Sequence, residues 1–198
     1  MNKVTIYLLD TNKYSFDELS NSKHLSFDIL TSILRMKNEV AKKEKAASNI
    51  LKNKRVGSFT IDKSGKPVSD KCFFNVSHDN GIVALAKCDT QVGIDLEQLR
   101  KIDTKLLNYA FTYEERKIIK SSKAFFAVWT NKESLLKCDG IGLRMKMSEV
   151  PGLPVNGIRV FKDAKYYSRT INHHNCIITI TIKKPEKFDI EIVDETIQ

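Results

Sequence analysis

The chain has 198 residues, 41% of them hydrophobic, which is enough for a sizeable core built as one domain or two small ones. No apolar run approaches the ~18 residues of a membrane-spanning helix, so no membrane partner is expected. A formal net charge of +9 invites an anionic partner, but the cations are spread through the chain without a recognition motif, which argues against nucleic acid.

Val4-Thr5-Ile6-Tyr7-Leu8-Leu9 alternates like a first strand and is cut short by Asp10, a pattern unlike a signal peptide. Helices are expected across 27–51. They contain Lys42-Lys43-Glu44-Lys45-Ala46-Ala47, most of whose lysines read as a solvated helix face. Strands follow near Val56, at Phe73 and at Ile82, the last two joined by an Asn80-Gly81 turn. A strand then starts at Val92, helices run from 104 to 139, and strands fill the remainder. Thr112-Tyr113-Glu114-Glu115 is a capping box, and the helix over 123–139 has Ser121 or Ser122 to start it and Gly140 to stop it. Asn172-His173-His174-Asn175 lies between two strand-like runs. His173, His174 and Cys176 raise the idea of a soft-metal cluster, but a hairpin turn explains the segment better. The four cysteines, Cys72, Cys88, Cys138 and Cys176, have no C-x-x-C spacing and read as reduced packing residues of a cytoplasmic protein. The mixture of helices and hairpins predicts an α+β fold rather than a doubly wound sheet.

Three segments carry chemistry. In Val92-Gly93-Ile94-Asp95-Leu96-Glu97 the two acids fall on one face of a strand and the apolar residues on the other. Carboxylates about 4 Å apart repel by roughly 4 kcal/mol at an effective dielectric of ~20, so such a pair needs a proton, a basic partner or a metal. Hard oxygen donors without nearby His or Cys point to Mg²⁺. On the following helix Trp129, Glu133 and Lys137 recur every four residues on one face. Glu133 and Lys137 also fit an ordinary surface ion pair, and Asp95 and Glu97 a solvated strand face. Ser77 and His78 sit at a strand end where a hydroxyl and an imidazole are able to meet a phosphate, although Ser77 and Asp79 also suit a plain hairpin.

The ordered set Gly65-Lys66-Pro67, Phe74-Asn75-Val76-Ser77-His78, Gly93-Ile94-Asp95-Leu96-Glu97, Phe111-Thr112-x-x-Glu115 and Trp129-x-x-Lys132-Glu133-Ser134-x-x-Lys137-x-x-Gly140-x-Gly142-Leu143 resembles the Sfp-type 4′-phosphopantetheinyl transferases. The likeness covers roughly 42–143. It implies two pseudo-two-fold-related α+β halves, residues 1–91 and 92–198, with the active site in the cleft between them and a monomeric state. It also implies transfer of the phosphopantetheine arm of coenzyme A to a serine of an acyl or peptidyl carrier protein, releasing adenosine 3′,5′-bisphosphate. By the same resemblance Asp95, Glu97 and Glu133 hold Mg²⁺, Lys137 contacts phosphate, and either Glu133 or a metal-bound water removes the serine proton. Ser77 and His78 match positions that bind the nucleotide phosphates, and Lys66 one near the adenine. Lys45 stands where the family carries an Arg for the 3′-phosphate, a departure that gives up the bidentate fork. Lys101, Lys105, Arg116, Lys117, Lys120 and Lys123, with Leu106, Leu107 and Tyr109, form a candidate surface for an acidic carrier protein. The rival readings are a non-catalytic relative that binds coenzyme A or the carrier, and a Mg²⁺-dependent pyrophosphate hydrolase.

Overall fold

The computed structural model describes residues 2–62, 65–142 and 145–198. Leu143, which closes the last motif, lies outside them. Strand β1 (Asn2–Asp10) is followed by helices α1 (Phe16–Ser20), α2 (Phe27–Leu34) and α3 (Glu39–Arg55), and by a small ribbon of β2 (Thr60–Ile61) and β3 (Pro67–Val68). The hairpin β4 (Phe73–Asp79) and β5 (Ile82–Cys88) comes next. β6 (Val92–Gln98) then leads into α4 (Thr104–Ala110), α5 (Tyr113–Ile118) and α6 (Ser122–Asp139), before β7 (Gly157–Phe161), β8 (Ala164–His173), β9 (Cys176–Ile182) and β10 (Phe188–Asp194).

The same connectivity occurs twice. In each half a strand enters helices and then a hairpin, and the first strand pairs antiparallel with the second strand of that hairpin: β1 with β5, and β6 with β9. The sheets run β10-β1-β5-β4 and β6-β9-β8-β7, which is the α+β pattern of two related halves. The chain passes from the first sheet to the second between β5 and β6, and β10 then returns to lie parallel to β1 with Asn2 opposite Phe188, while Glu195 is buried against Lys54 and Arg55.

Alternation along the strands decides the layering. Val4, Ile6 and Leu8 of β1, Ala84 and Ala86 of β5, Val92, Ile94 and Leu96 of β6, and Ile178, Ile180 and Ile182 of β9 share one core between the two sheets. The opposite faces carry the long helices. Leu9, Val83 and Leu85 pack with Ala47 and Leu51 of α3, while Ile177 packs with the α6 side of the second sheet. The order of layers is helix, sheet, sheet, helix, and β9 is buried along its whole length.

Local signals end the elements where the chemistry demands. Asn80 and Gly81 both adopt positive φ, 50° and 88°, as a two-residue hairpin turn requires. Ser121 caps α6 by accepting from the Ala124 N–H, and Gly140 closes it in the left-handed conformation. The strand expected near Val56 is not formed. Val56 ends α3, its N–H bonded to the Lys52 carbonyl, and the chain turns at Gly57 with φ 79°. Burial against the first sheet, rather than strand pairing, accounts for its apolar side chain.

Gly93 sets how closely α6 approaches β6. A Cβ there would lie 2.1 Å from the Ser134 carbonyl oxygen and 2.4 Å from the Cys138 nitrogen, both backbone atoms of α6. Gly93→Ala is therefore predicted to destabilise the fold by more than the roughly 1–3 kcal/mol of ordinary overpacking, read as a lowered thermal midpoint, since a helix rather than a side chain must move. An unchanged melting curve would contradict this contact.

Candidate active site

The two sheets meet edge to edge at β4 and β6, where side chains take the place of strand pairing. Asn75 Oδ1 accepts from the Ile94 N–H at 3.1 Å, Ser77 Oγ from the Leu96 N–H at 3.3 Å, and Asp79 Oδ2 from the Gln98 N–H at 2.8 Å. The period of two on both strands produces this ladder: every second residue of β4 is short and polar, and every second N–H of β6 faces it. Ser77 Oγ also donates to Asp95 Oδ1 at 2.9 Å and accepts from Lys137 Nζ at 2.9 Å, which uses its one donor and both acceptor positions.

Asp95, Glu97 and Gly93 occupy the α6-facing side of β6, and the helix presents Trp129, Glu133 and Lys137 to it. Lys137 Nζ lies 2.7 Å from Asp95 Oδ1, and Trp129 Nε1 donates to Glu97 Oε1 at 3.1 Å. The i, i+4 ion pair open to Glu133 and Lys137 is not made; Lys137 reaches the strand instead. Arg100 binds two acids at once, Glu97 Oε2 at 2.6 Å and Asp79 Oδ2 at 2.6 Å.

Negative charge is in excess here. Asp95 is 5% exposed, and its Oδ2 is buried with no hydrogen-bond partner. Burial, then the charges of Asp95 and Asp79, push Glu97 up to about 7 against the opposing pull of Arg100. Glu133 is also raised, chiefly by burial and then by Asp95, with Lys137 acting in the other direction. Its carboxylate makes no hydrogen bond or ion pair among the described residues. An orphaned carboxylate oxygen beside two acids that resist ionisation fits a hard divalent cation, and all the donors are oxygen. The three carboxylates are not drawn as close as a bound ion would hold them. Among the described residues the trio of potential ligands with atoms within 4.8 Å of one another is His173, His174 and Asp194.

The remaining expected site residues are more dispersed. His78 points away from Ser77, as neighbours on a strand do, and its Nδ1 lies 3.0 Å from Glu44 Oε2 on α3. The other oxygen of Glu44 accepts from the Gly81 N–H at 2.8 Å, so this acid ties the β4–β5 turn to α3. Lys66 donates to the Lys137 carbonyl in the last turn of α6 at 2.9 Å, and burial lowers its pKa. It lines a cavity of about 370 Å³ with Phe73, Phe74, Gln91 and Asp139. Lys45 is exposed on α3; its charge and, above all, burial lower the neighbouring Lys52 to about 8. The structure thus gathers Ser77, Asp95, Glu97, Glu133 and Lys137, and leaves Lys45, Lys66 and His78 around them. Arg100 and Glu44 carried no sequence signal: both act on partners from other elements, outside any local period.

Glu115 is structural as well as a capping residue. Its Oε2 accepts from the Thr112 N–H at 2.8 Å and pairs with Lys132 at 2.6 Å, and its Oε1 accepts from the Gly152 N–H at 2.8 Å. Lys132 is fully buried and also donates to the Ala110 and Met147 carbonyls.

Residues 91–186 match the family model of the 4′-phosphopantetheinyl transferase superfamily. The 4′-phosphopantetheinyl transferase gsp of Aneurinibacillus migulanus is 32% identical over 139 residues, covering 66% of this chain and 54% of that protein. The 4′-phosphopantetheinyl transferase psf-1 of Bacillus pumilus is 32% identical over 99 residues, covering 46% of this chain and 42% of that protein. A crystal structure of Thermotoga maritima holo-[acyl-carrier-protein] synthase aligns over 50% of this chain and 65% of its own, at 13% identity and a TM-score of 0.38. Over the matched residues the chain is similar to the 4′-phosphopantetheinyl transferase superfamily. It spans about half the length of the curated relatives it matches.

Two predictions follow the geometry. Glu115→Ala strands a buried ammonium group and is expected to cost roughly 3–5 kcal/mol in urea denaturation; a loss under about 1 kcal/mol would mean a solvated pair. For Glu97, a folded-state pKa above the unfolded value means that the folded chain holds the proton more tightly. Its contribution to stability is full below about 4.5 and is lost as pH rises to about 7. Melting curves without divalent cations are expected to favour Glu97→Gln over the parent increasingly across that window, and a constant difference would refute the shift.

Proposed function

We propose that this chain transfers the 4′-phosphopantetheine arm of coenzyme A to a serine hydroxyl of an acyl or peptidyl carrier protein, acting as a cytoplasmic monomer. The observation that carries the reading is the orphaned Asp95 Oδ2 beside an unpaired Glu133, with the Lys137 ammonium group on the other Asp95 oxygen. Asp95, Glu97 and Glu133 would hold Mg²⁺, which supplies neutralisation of the pyrophosphate and polarisation of the phosphoryl oxygen.

The chain's own groups do the rest. Lys137, anchored on Ser77 and Asp95, places a positive charge where phosphate oxygens gain negative charge as the phosphorus–oxygen bond to the adenylate side breaks. Glu133 takes the serine proton as the serine oxygen bonds to the phosphorus. Its raised pKa brings it nearer the operating pH, where a carboxylate is a more effective base. Trp129 and Arg100 fix Glu97 in orientation. Lys45, Lys66, Ser77 and His78 take the nucleotide end of coenzyme A in this reading, Lys66 through the cavity it lines. Exposed Tyr109, Tyr113, Leu106 and Ile118, with basic neighbours on α4 and α5, offer the surface for an acidic carrier.

The test is the intact mass of an apo carrier protein after incubation with this protein, coenzyme A and Mg²⁺. A gain of one phosphopantetheine is expected, abolished by a chelator and by the Asp95→Ala, Glu133→Ala double variant. Glu133→Gln alone should slow transfer by about 10²–10⁴-fold. No gain with fatty-acid, polyketide and peptide carriers would overturn the proposal, and coenzyme A cleavage without carrier modification would identify a pyrophosphate hydrolase instead.

A further inference from the structure

On the far side of the second sheet from α4 and α5, the tip of the β8–β9 hairpin meets the end of β10. His173 closes β8, His174 and Asn175 form the turn, and Asp194 closes β10. His173 Nε2 stands 3.9 Å from Asp194 Oδ1, and His174 Nε2 stands 3.8 Å from Asp194 Oδ2. One ligand atom from each residue lies within 4.8 Å of the other two. His173 Nε2 is buried and has no hydrogen-bond partner, so an imidazole nitrogen faces the cluster with nothing to satisfy it.

We propose that His173, His174 and Asp194 bind a borderline divalent transition-metal ion, with Zn²⁺ as the representative. Bonds of about 2.0–2.1 Å in a tetrahedral site put neighbouring ligand atoms about 3.3 Å apart. The two histidine–aspartate separations, 3.9 and 3.8 Å to different oxygens of Asp194, need to close by about half an ångström, and one atom from each of the three residues already lies within 4.8 Å of the others. Two imidazole nitrogens with one carboxylate oxygen select Zn²⁺, Ni²⁺ or Cu²⁺ over Mg²⁺, which takes oxygen donors and water. The backbone already holds the ligands. His174 and Asn175 have φ of 46° and 62°, the register sets His173 opposite Cys176, and the Asn175 carbonyl accepts from the Leu99 N–H at 2.9 Å. Cys176 itself is 1% exposed and packs into the core between the sheets, so the third ligand is Asp194 rather than the thiol.

The two histidines belong to the second sheet, whereas Asp194 ends an edge strand of the first, bonded only to β1. A bound ion would therefore staple one sheet to the other, with a fourth position left to water. This site is independent of the acids on β6.

The experiment titrates chelator-stripped protein with Zn²⁺ in excess Mg²⁺, so that the carboxylate site does not compete. It follows binding by calorimetry and the β10 amides by hydrogen exchange. The variants are Asp194→Asn, which is isosteric, and His174→Asn, which keeps a residue tolerant of positive φ in the turn. One Zn²⁺ per chain is expected, with slower exchange across the end of β10. Each variant should weaken binding by at least the roughly 10–100-fold that loss of even an outer-shell partner costs. Equal binding by parent and both variants, no binding at all, or binding that leaves β10 exchange unchanged would overturn the proposal.

Discussion

The side-chain ladder from Asn75, Ser77 and Asp79 to the β6 backbone is the constraint on which the rest of the molecule depends. β4 and β6 are terminal strands of different sheets, and direct pairing is replaced by three bonds spaced two residues apart. Each bond contributes a net ~1 kcal/mol, but removing one acceptor leaves a buried N–H unsatisfied, at a cost of about 1–3 kcal/mol. The ladder thus fixes the lateral position of β6, and with it the acids on its helix-facing side. Ser77 belongs both to this joint and to the Lys137–Asp95 contact, so the architecture and the chemistry share one hydroxyl.

Against that fixed strand, α6 is positioned by the missing side chain of Gly93. A four-residue stripe on the helix then lies over a two-residue stripe on the strand, pairing Trp129 with Glu97 and Lys137 with Asp95. Glu133 falls between them, near enough to Asp95 to feel its charge but without a cation of its own. Lys137 and Arg100 balance part of the charge of Asp79, Asp95, Glu97 and Glu133. The remainder is the electrostatic reason that the proposed site would favour a cation.

Much of this was legible in the sequence because it is periodic or local. The alternation of 92–97, the helical stripe from Trp129 to Lys137, the Asn80-Gly81 turn, the Thr112 capping box and the Gly140 stop all follow from neighbours within a few residues. What the sequence concealed joins distant segments. The pairing of β1 with β10 spans nearly the whole chain, Arg100 bridges acids on two strands, and Asp194 reaches the His173-His174 turn from another sheet. Val56 misled because an apolar β-branched residue fits a helix end buried against a sheet as well as it fits a strand. In the sequence the His173-His174 segment reads as a hairpin turn rather than a cluster with Cys176, and the turn is there, with Cys176 buried in the core between the sheets.

The return of β10 to β1 bears on how the chain is made. Residues at the start of the first sheet stay without their outer neighbour until a segment more than 180 positions later has been synthesised, as Asn2 opposite Phe188 requires. Until β10 has been synthesised β1 can pair only on its β5 side, leaving a strand edge open to other chains. The two halves are thus not modular in their order of assembly: the first sheet acquires its outer strand only after the strands of the second have been made.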